Sequence, residues 1–143
     1  MSDDPMTQTV HATCVAIDGA GVLILGGSGS GKSSTALAFL AHGAALVADD
    51  QVILTRNGTN IQATCPEPLV GMIESRGIGI LHATPVQGAV LALVVDLDQT
   101  ELHRLPPHRN HEILGVSVDT VFGRDNWGLV PGVLALIKGR RLQ

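Results

Sequence analysis

Apolar positions along this chain gather in short, β-branched runs more often than in helical stripes. Residues 10–17 and 21–25 form two such runs, split by Asp18-Gly19-Ala20, a pattern that predicts a hairpin. The second run leads straight into a glycine-rich stretch, Gly26 to Gly31. From Lys32 the spacing predicts a helix with Leu37 and Leu40 on one face, stopped by Gly43 as its left-handed terminator. Residues 44–48 predict a short buried strand that ends on Asp49 and Asp50. Residues 52–56 and 59–63 flank Asn57-Gly58, a type I′ hairpin signal. Pro66 and Pro68 mark a loop, and residues 71–80 hold too many glycines for a stable helix. Residues 89–97 are the clearest buried strand, a continuous aliphatic run. Residues 101–111 predict a polar connection broken by prolines, while 133–137 fit a late strand or helix alike. Residues 1–7 predict a short disordered lead. No repeat or linker interrupts the chain, so the expectation is one α/β domain over residues 1–143 with substantial antiparallel content.

Composition narrows this picture. At 143 residues the chain is long enough for one domain with a real core, and 45% of it is apolar. That core must be aliphatic, because the aromatic residues are Phe39, Phe122 and Trp127 alone. A net charge of −4 provides no broad basic field for a polyanion, which argues against nucleic acid as a partner. The longest apolar stretch, residues 89–95, is too short to cross a membrane, and the acidic start lacks the cationic and apolar regions of a secretory signal. A cytoplasmic location is therefore expected. Cys14 and Cys65 lack metal spacing and read as reduced thiols.

The chemistry begins at residues 26–33, Gly-Gly-Ser-Gly-Ser-Gly-Lys-Ser, which satisfy Gly-x-x-x-x-Gly-Lys-Ser in full between an apolar strand and a helix. Gly26, Gly27, Ser28, Gly29, Ser30 and Gly31 would turn backbone N–H groups inward toward phosphate oxygens. The helix that follows adds its unpaired N–H groups and positive dipole end, with Ser34 in its first turn. Lys32 would reach the β- and γ-phosphates of ATP, and the Ser33 hydroxyl would ligate Mg2+. Asp49 and Asp50 stand where a strand-end acid holds metal or orients a nucleophile, although an Asp-Asp turn is the plainer alternative. Neighbouring side chains on an extended chain point to opposite sides, so one acid could face the metal and the other the acceptor hydroxyl. Glu74 and Arg76 suit a magnesium carboxylate and a guanidinium for transferred charge, or equally a surface ion pair. His11 alone reads as a structural histidine, His108 and His111 as solvated, and Arg104 alone carries no signal.

Taken together, Val10-His11-Ala12, the loop at 26–33, Leu46-Val47-Ala48-Asp49-Asp50 and Glu74-Ser75-Arg76-Gly77-Ile78-Gly79-Ile80 resemble the catalytic domain of HPr kinase/phosphorylase. That family phosphorylates a seryl residue of HPr, the phosphocarrier of the bacterial sugar phosphotransferase system. The resemblance covers most of residues 10–105. It implies a P-loop kinase fold of the HPr kinase/phosphoenolpyruvate carboxykinase-like type, with a mixed sheet. It also implies ATP and Mg2+ as cofactors, HPr as protein substrate, and a homo-oligomer, commonly a hexamer. In residue terms it implies His11, Lys32, Asp49, Asp50, Arg76 and Arg104 as catalytic, with the Asp49/Asp50 pair supplying the base and Glu74 joining Ser33 at magnesium. The short form is similar to stand-alone kinase domains without the regulatory N-terminal domain.

The chain departs from the family pattern at three places. Gly27 stands where Asp is usual, and Ser34 stands where an acid usually follows Lys-Ser. The family's Pro-Val-Arg-Pro-Gly-Arg loop, associated with dephosphorylation, is replaced by residues 121–128, Val-Phe-Gly-Arg-Asp-Asn-Trp-Gly. The expectation is therefore a kinase rather than a phosphorylase. Two rival readings remain at this level: a P-loop kinase of another acceptor, such as a metabolite or peptide, and a nucleotide-binding regulatory module without transfer.

Overall fold

The structure, a computed structural model, describes residues 6–139. Among them run β1 (Thr7–Val10), β2 (Thr13–Ile17), β3 (Ala20–Leu25), α1 (Lys32–Ala41), β4 (Ala45–Ala48), β5 (Val52–Asn57) and β6 (Asn60–Thr64). A single 3-10 turn, Glu67–Leu69, precedes β7 (Met72–Ser75), β8 (Gly79–His82), β9 (Ala89–Asp96), β10 (Arg109–Ile113), β11 (Val116–Phe122) and α2 (Leu129–Lys138). The predicted helix, the hairpin at 18–20 and the strand at 89–97 are all present.

One sheet follows the order β1-β5-β6-β9-β3-β2-β4, with β11 and β10 joined to it through β9. β9 is the fork: β6 pairs with its start at Ala89 and Val90, and β11 pairs with its end at Val94 to Asp96. β3 runs parallel to β9 along its other edge, whereas β2 is antiparallel to both β3 and β4. The sheet is thus mixed, as expected.

Side chains of β2, β3 and β9 alternate between two aliphatic clusters, because successive residues of a strand face opposite sides. Cys14, Leu23, Leu54, Ile61 and Val94 fill one cluster. Val15, Ile24, Phe39, Leu93 and Val133 fill the other, beneath the two helices. All five positions of β2 are buried, which accounts for its lack of alternation in the sequence. β9 is less continuous than its composition suggests: Val90 and Ala92 are exposed on its first half, before α2 covers its end.

Several expectations need correction. The run at 10–17 is broken at His11-Ala12 into β1 and β2, which pair with different strands. Thr7 already belongs to β1, so the disordered lead expected for 1–7 does not extend that far; residues 1–5 lie outside the described part. Asn57 pairs with Asn60, so the loop is Gly58-Thr59, one residue later than predicted, with Gly58 in the left-handed region. A glycine leading the loop is the type II′ arrangement rather than type I′. No helix forms over 71–80, as expected; residues 72–82 are instead a separate two-stranded hairpin, β7 with β8. The connection expected over 101–111 ends in strand from Arg109, while 133–137, left open between strand and helix, lies within α2.

Candidate functional site

The phosphate-loop segment leaves β3 at Leu25 and enters α1 at Lys32, with Gly29 and Gly31 at positive φ. Gly26 is fixed by space rather than by φ: a Cβ there would lie 2.3 Å from Ser30 Oγ and 3.2 Å from Leu97 Cβ. Any side chain would therefore force Ser30 or the end of β9 away. Gly31 caps α1 in a left-handed conformation, and no side chain bonds the first N–H groups of the helix. Those donors remain directed at the loop, the arrangement that binds anions. Lys32, itself buried, donates from Nζ to the carbonyls of Gly26 at 2.8 Å and Gly27 at 3.1 Å.

β4 brings the acids to the same place. Asp49 is buried, and its carboxylate accepts Thr13 Oγ1 at 2.8 Å and Ser33 Oγ at 2.9 Å. The Glu74 backbone N–H approaches it at 3.4 Å, so β2, α1, β4 and β7 converge on one carboxylate. Asp50 does not continue the extended strand, because its φ is 73°. The two acids therefore do not diverge across a strand; both line one cavity of about 600 Å³. His11, at the break between β1 and β2, pairs through Nε2 with Asp50 Oδ1 at 2.7 Å. Ala12 also ties its N–H to the Asp50 carbonyl at 3.3 Å, fixing the turn from the other side. Glu74 and Arg76 reach the cavity from the β7–β8 hairpin, whose Met72 and Ile80 form its apolar rim.

Most predicted site residues thus meet. His11, Ser28, Gly29, Gly31, Lys32, Ser33, Ser34, Asp49, Asp50, Glu74 and Arg76 surround this one space. Arg104 does not: it lies beside a second depression with Glu101, His103 and Phe122. There Arg109 binds Glu101 through Nε at 2.8 Å and Nη2 at 2.9 Å, and its guanidinium carbon lies 4.3 Å from the centre of the Phe122 ring. The hydrogen bonds from Arg109 pull the Glu101 carboxyl down to about 2. His108 precedes β10 and His111 is exposed on it. Cys14 lies in the core, where burial pushes its thiol up to about 12, and Cys65 is half-buried with its thiol also raised by burial.

Two groups escaped the sequence reading. Thr13 helps hold Asp49, yet its only sequence signal is a position two residues beyond His11. Asp98 follows β9 and accepts the Gly27 N–H with both carboxylate oxygens, each at 3.1 Å. A Cβ at residue 27 would come within 3.8 Å of the same carboxylate. An acid from the end of β9 therefore stands beside the loop position where the chain itself carries glycine, and a separation of 71 residues hides it from any local pattern.

The donor set can be tested against magnesium and a nucleotide. Ser33, Asp49 and Glu74 offer only oxygen ligands, the kind a hard cation takes. Two carboxylates and a hydroxyl suit Mg2+, which is usually held by one or two carboxylates together with substrate phosphates.

Residues 5–122 match the family described as HPr Serine kinase C-terminal domain. The HPr kinase/phosphorylase of Alkaliphilus metalliredigens is 41% identical over an alignment of 128 residues, covering 80% of this chain and 41% of the relative. That of Aromatoleum aromaticum is 40% identical over 124 residues, covering 77% and 40%. The chain therefore spans about two-fifths of the length of these curated relatives. The solved structure of the Hpr(Ser) kinase/phosphatase from Coxiella burnetii superposes with a TM-score of 0.80 at 30% identity, covering 94% of this chain and 97% of that one.

Proposed function

The chain belongs to the HPr Serine kinase C-terminal domain family, and from that premise we propose that it is an ATP-dependent protein serine kinase acting on HPr. The observation that carries the reading is the cavity in which Lys32 and Ser33 of the phosphate loop meet Asp49, Asp50, His11 and Glu74. Its rim favours a protein acceptor, since Ile78 and Ile80 are exposed on the hairpin alongside it.

Roles follow from the surroundings of each residue. Residues 26–33 and the start of α1 bind the phosphates. Lys32 exchanges its two carbonyl partners for phosphate oxygens and, with Arg76, offsets charge on the transferred group. Asp49 is a positioning residue: buried and bonded to two hydroxyls, it fixes the direction of Ser33. Asp50 is the base, because its side chain is 64% exposed and an incoming hydroxyl can reach it. It takes the seryl proton as the serine oxygen attacks the γ-phosphorus and ADP leaves, while His11 holds its carboxylate in place. Ser33 and Glu74 would hold Mg2+, with Asp49 behind them; when bound, the ion neutralises charge on the β- and γ-phosphates. Arg104 lies outside this cavity and is proposed only to act on the acceptor side.

The test is direct. Incubation with MgATP and HPr from the same organism should add one phosphoryl group to a serine, read by mass spectrometry. ATP binding without transfer to HPr would overturn the acceptor. If no candidate peptide or metabolite were phosphorylated either, and Asp50→Asn changed nothing, a nucleotide-binding module would remain.

A further inference from the structure

The phosphate loop lies between two cavities, and the proposed chemistry uses only one of them. Ser28, Gly29 and Ser34 line both. The second cavity, about 770 Å³, runs from the loop along Thr35 and Ala38 of α1 to residues 123–127. The first cavity holds Asp49, Asp50 and Glu74, so it takes the reacting end of a triphosphate. On the nucleotide reading, the other end extends away from those acids, toward the second cavity.

At the edge of that cavity stands Trp127, which is 100% exposed. An indole in that position contributes no burial to the fold. Its mount, however, is built: Gly123 N–H bonds Asp96 O at 2.9 Å and Arg124 N–H bonds Gln99 O at 3.0 Å. Asn126 Oδ1 accepts the Gly128 N–H at 3.0 Å, and Leu129 N–H bonds Asn126 O at 3.2 Å, on either side of Trp127. A large planar aromatic held on an ordered turn beside a cavity continuous with a phosphate loop suits one ligand group, a planar heterocycle attached to the phosphates.

We propose that Trp127 stacks on the base of the nucleotide, making the second cavity the nucleoside subsite. This rests on the nucleotide reading above and adds a residue that sets affinity for the nucleoside. Stacking uses the π-face of the base, so the contribution should vanish for a ligand with phosphates alone.

Trp127 is the chain's one tryptophan, so its fluorescence reports this site without labelling. Titration with MgATP should quench or shift the emission, whereas magnesium tripolyphosphate should bind, by calorimetry, and leave it unchanged. Trp127→Ala should raise the ATP dissociation constant roughly tenfold and leave that for tripolyphosphate unaltered, and Trp127→Phe should recover most of the loss. Equal binding of ATP by wild type and Trp127→Ala, with emission unmoved, would overturn the subsite while leaving the nucleotide reading intact. Binding of neither ligand would overturn both.

Discussion

At the scale of single residues, the site turns on the difference between two neighbouring acids. Asp49 is buried and saturated with hydroxyl and amide donors, while Asp50 is turned outward by a left-handed backbone. Asparagine tolerates that conformation better than most residues and keeps the side-chain shape. Asp50→Asn therefore removes the charge without disturbing the turn. Turnover should fall by about a hundredfold or more, with ATP affinity changed less than twofold. Stopped-time phosphorylation assays and calorimetry check the two halves separately; loss of ATP binding instead would make Asp50 a binding group. Both acids were legible in the sequence because they end a buried strand one helix after the loop. Their meeting at one cavity was not, since nothing local announces a positive φ at an aspartate. His11 alone read as structural and gained a catalytic role only through the family resemblance; the fold sets it against Asp50, 39 residues away. Asp98 and Thr13 also act across long-range contacts, 71 and 36 residues apart, which no spacing rule reaches.

At the scale of elements, the apolar pattern succeeded where strands are almost wholly buried and failed where they are largely exposed and their turn carries no signal. β2, β3 and β4 were readable because strand burial there is nearly complete. The β10–β11 hairpin was missed: its turn, Leu114-Gly115, places both residues at positive φ, and leucine gives no warning of that. The segment before it is held by the Glu101–Arg109 pair, which joins the 97–108 connection to β10. Glu101 has its folded carboxyl lowered from 4.5 to about 2 by the Arg109 hydrogen bonds. A depressed carboxylate contributes stability that is complete above the ordinary value and is lost as pH falls through the folded one. Acid titration of the wild type should therefore show weakening of this connection between about pH 4.5 and 2, followed by amide exchange in β10. Glu101→Gln should start weaker at neutral pH and lose that pH dependence; an unchanged acid profile would show that the pair does not hold the connection.

At the scale of the whole molecule, the site depends on two aliphatic clusters that share their strands. Phe39 of α1 belongs to the helix-side cluster and Cys14 of β2 to the opposite one, and both are fully buried. Their elements are linked, because Val15 and Ile17 of β2 pack in the cluster that holds Phe39. Opening one face should consequently open the other, together with the loop that α1 carries. The Cys14 thiol provides the readout: burial raises it to about 12, so alkylation at neutral pH requires exposure to solvent. Phe39→Ala should cost about 3–5 kcal/mol, and Phe39→Leu less, through lost contacts and the cavity left behind. If the clusters unfold as one unit, the alkylation rate of Cys14 under native conditions rises in proportion, roughly a hundredfold to several thousandfold for the alanine variant and less for leucine. Mass spectrometry separates Cys14 from the half-buried Cys65, whose labelling serves as the local reference. A Cys14 rate unmoved by either variant, with melting lowered, would mean that the faces open independently and that the phosphate loop can be lost while the far side of the sheet stays closed.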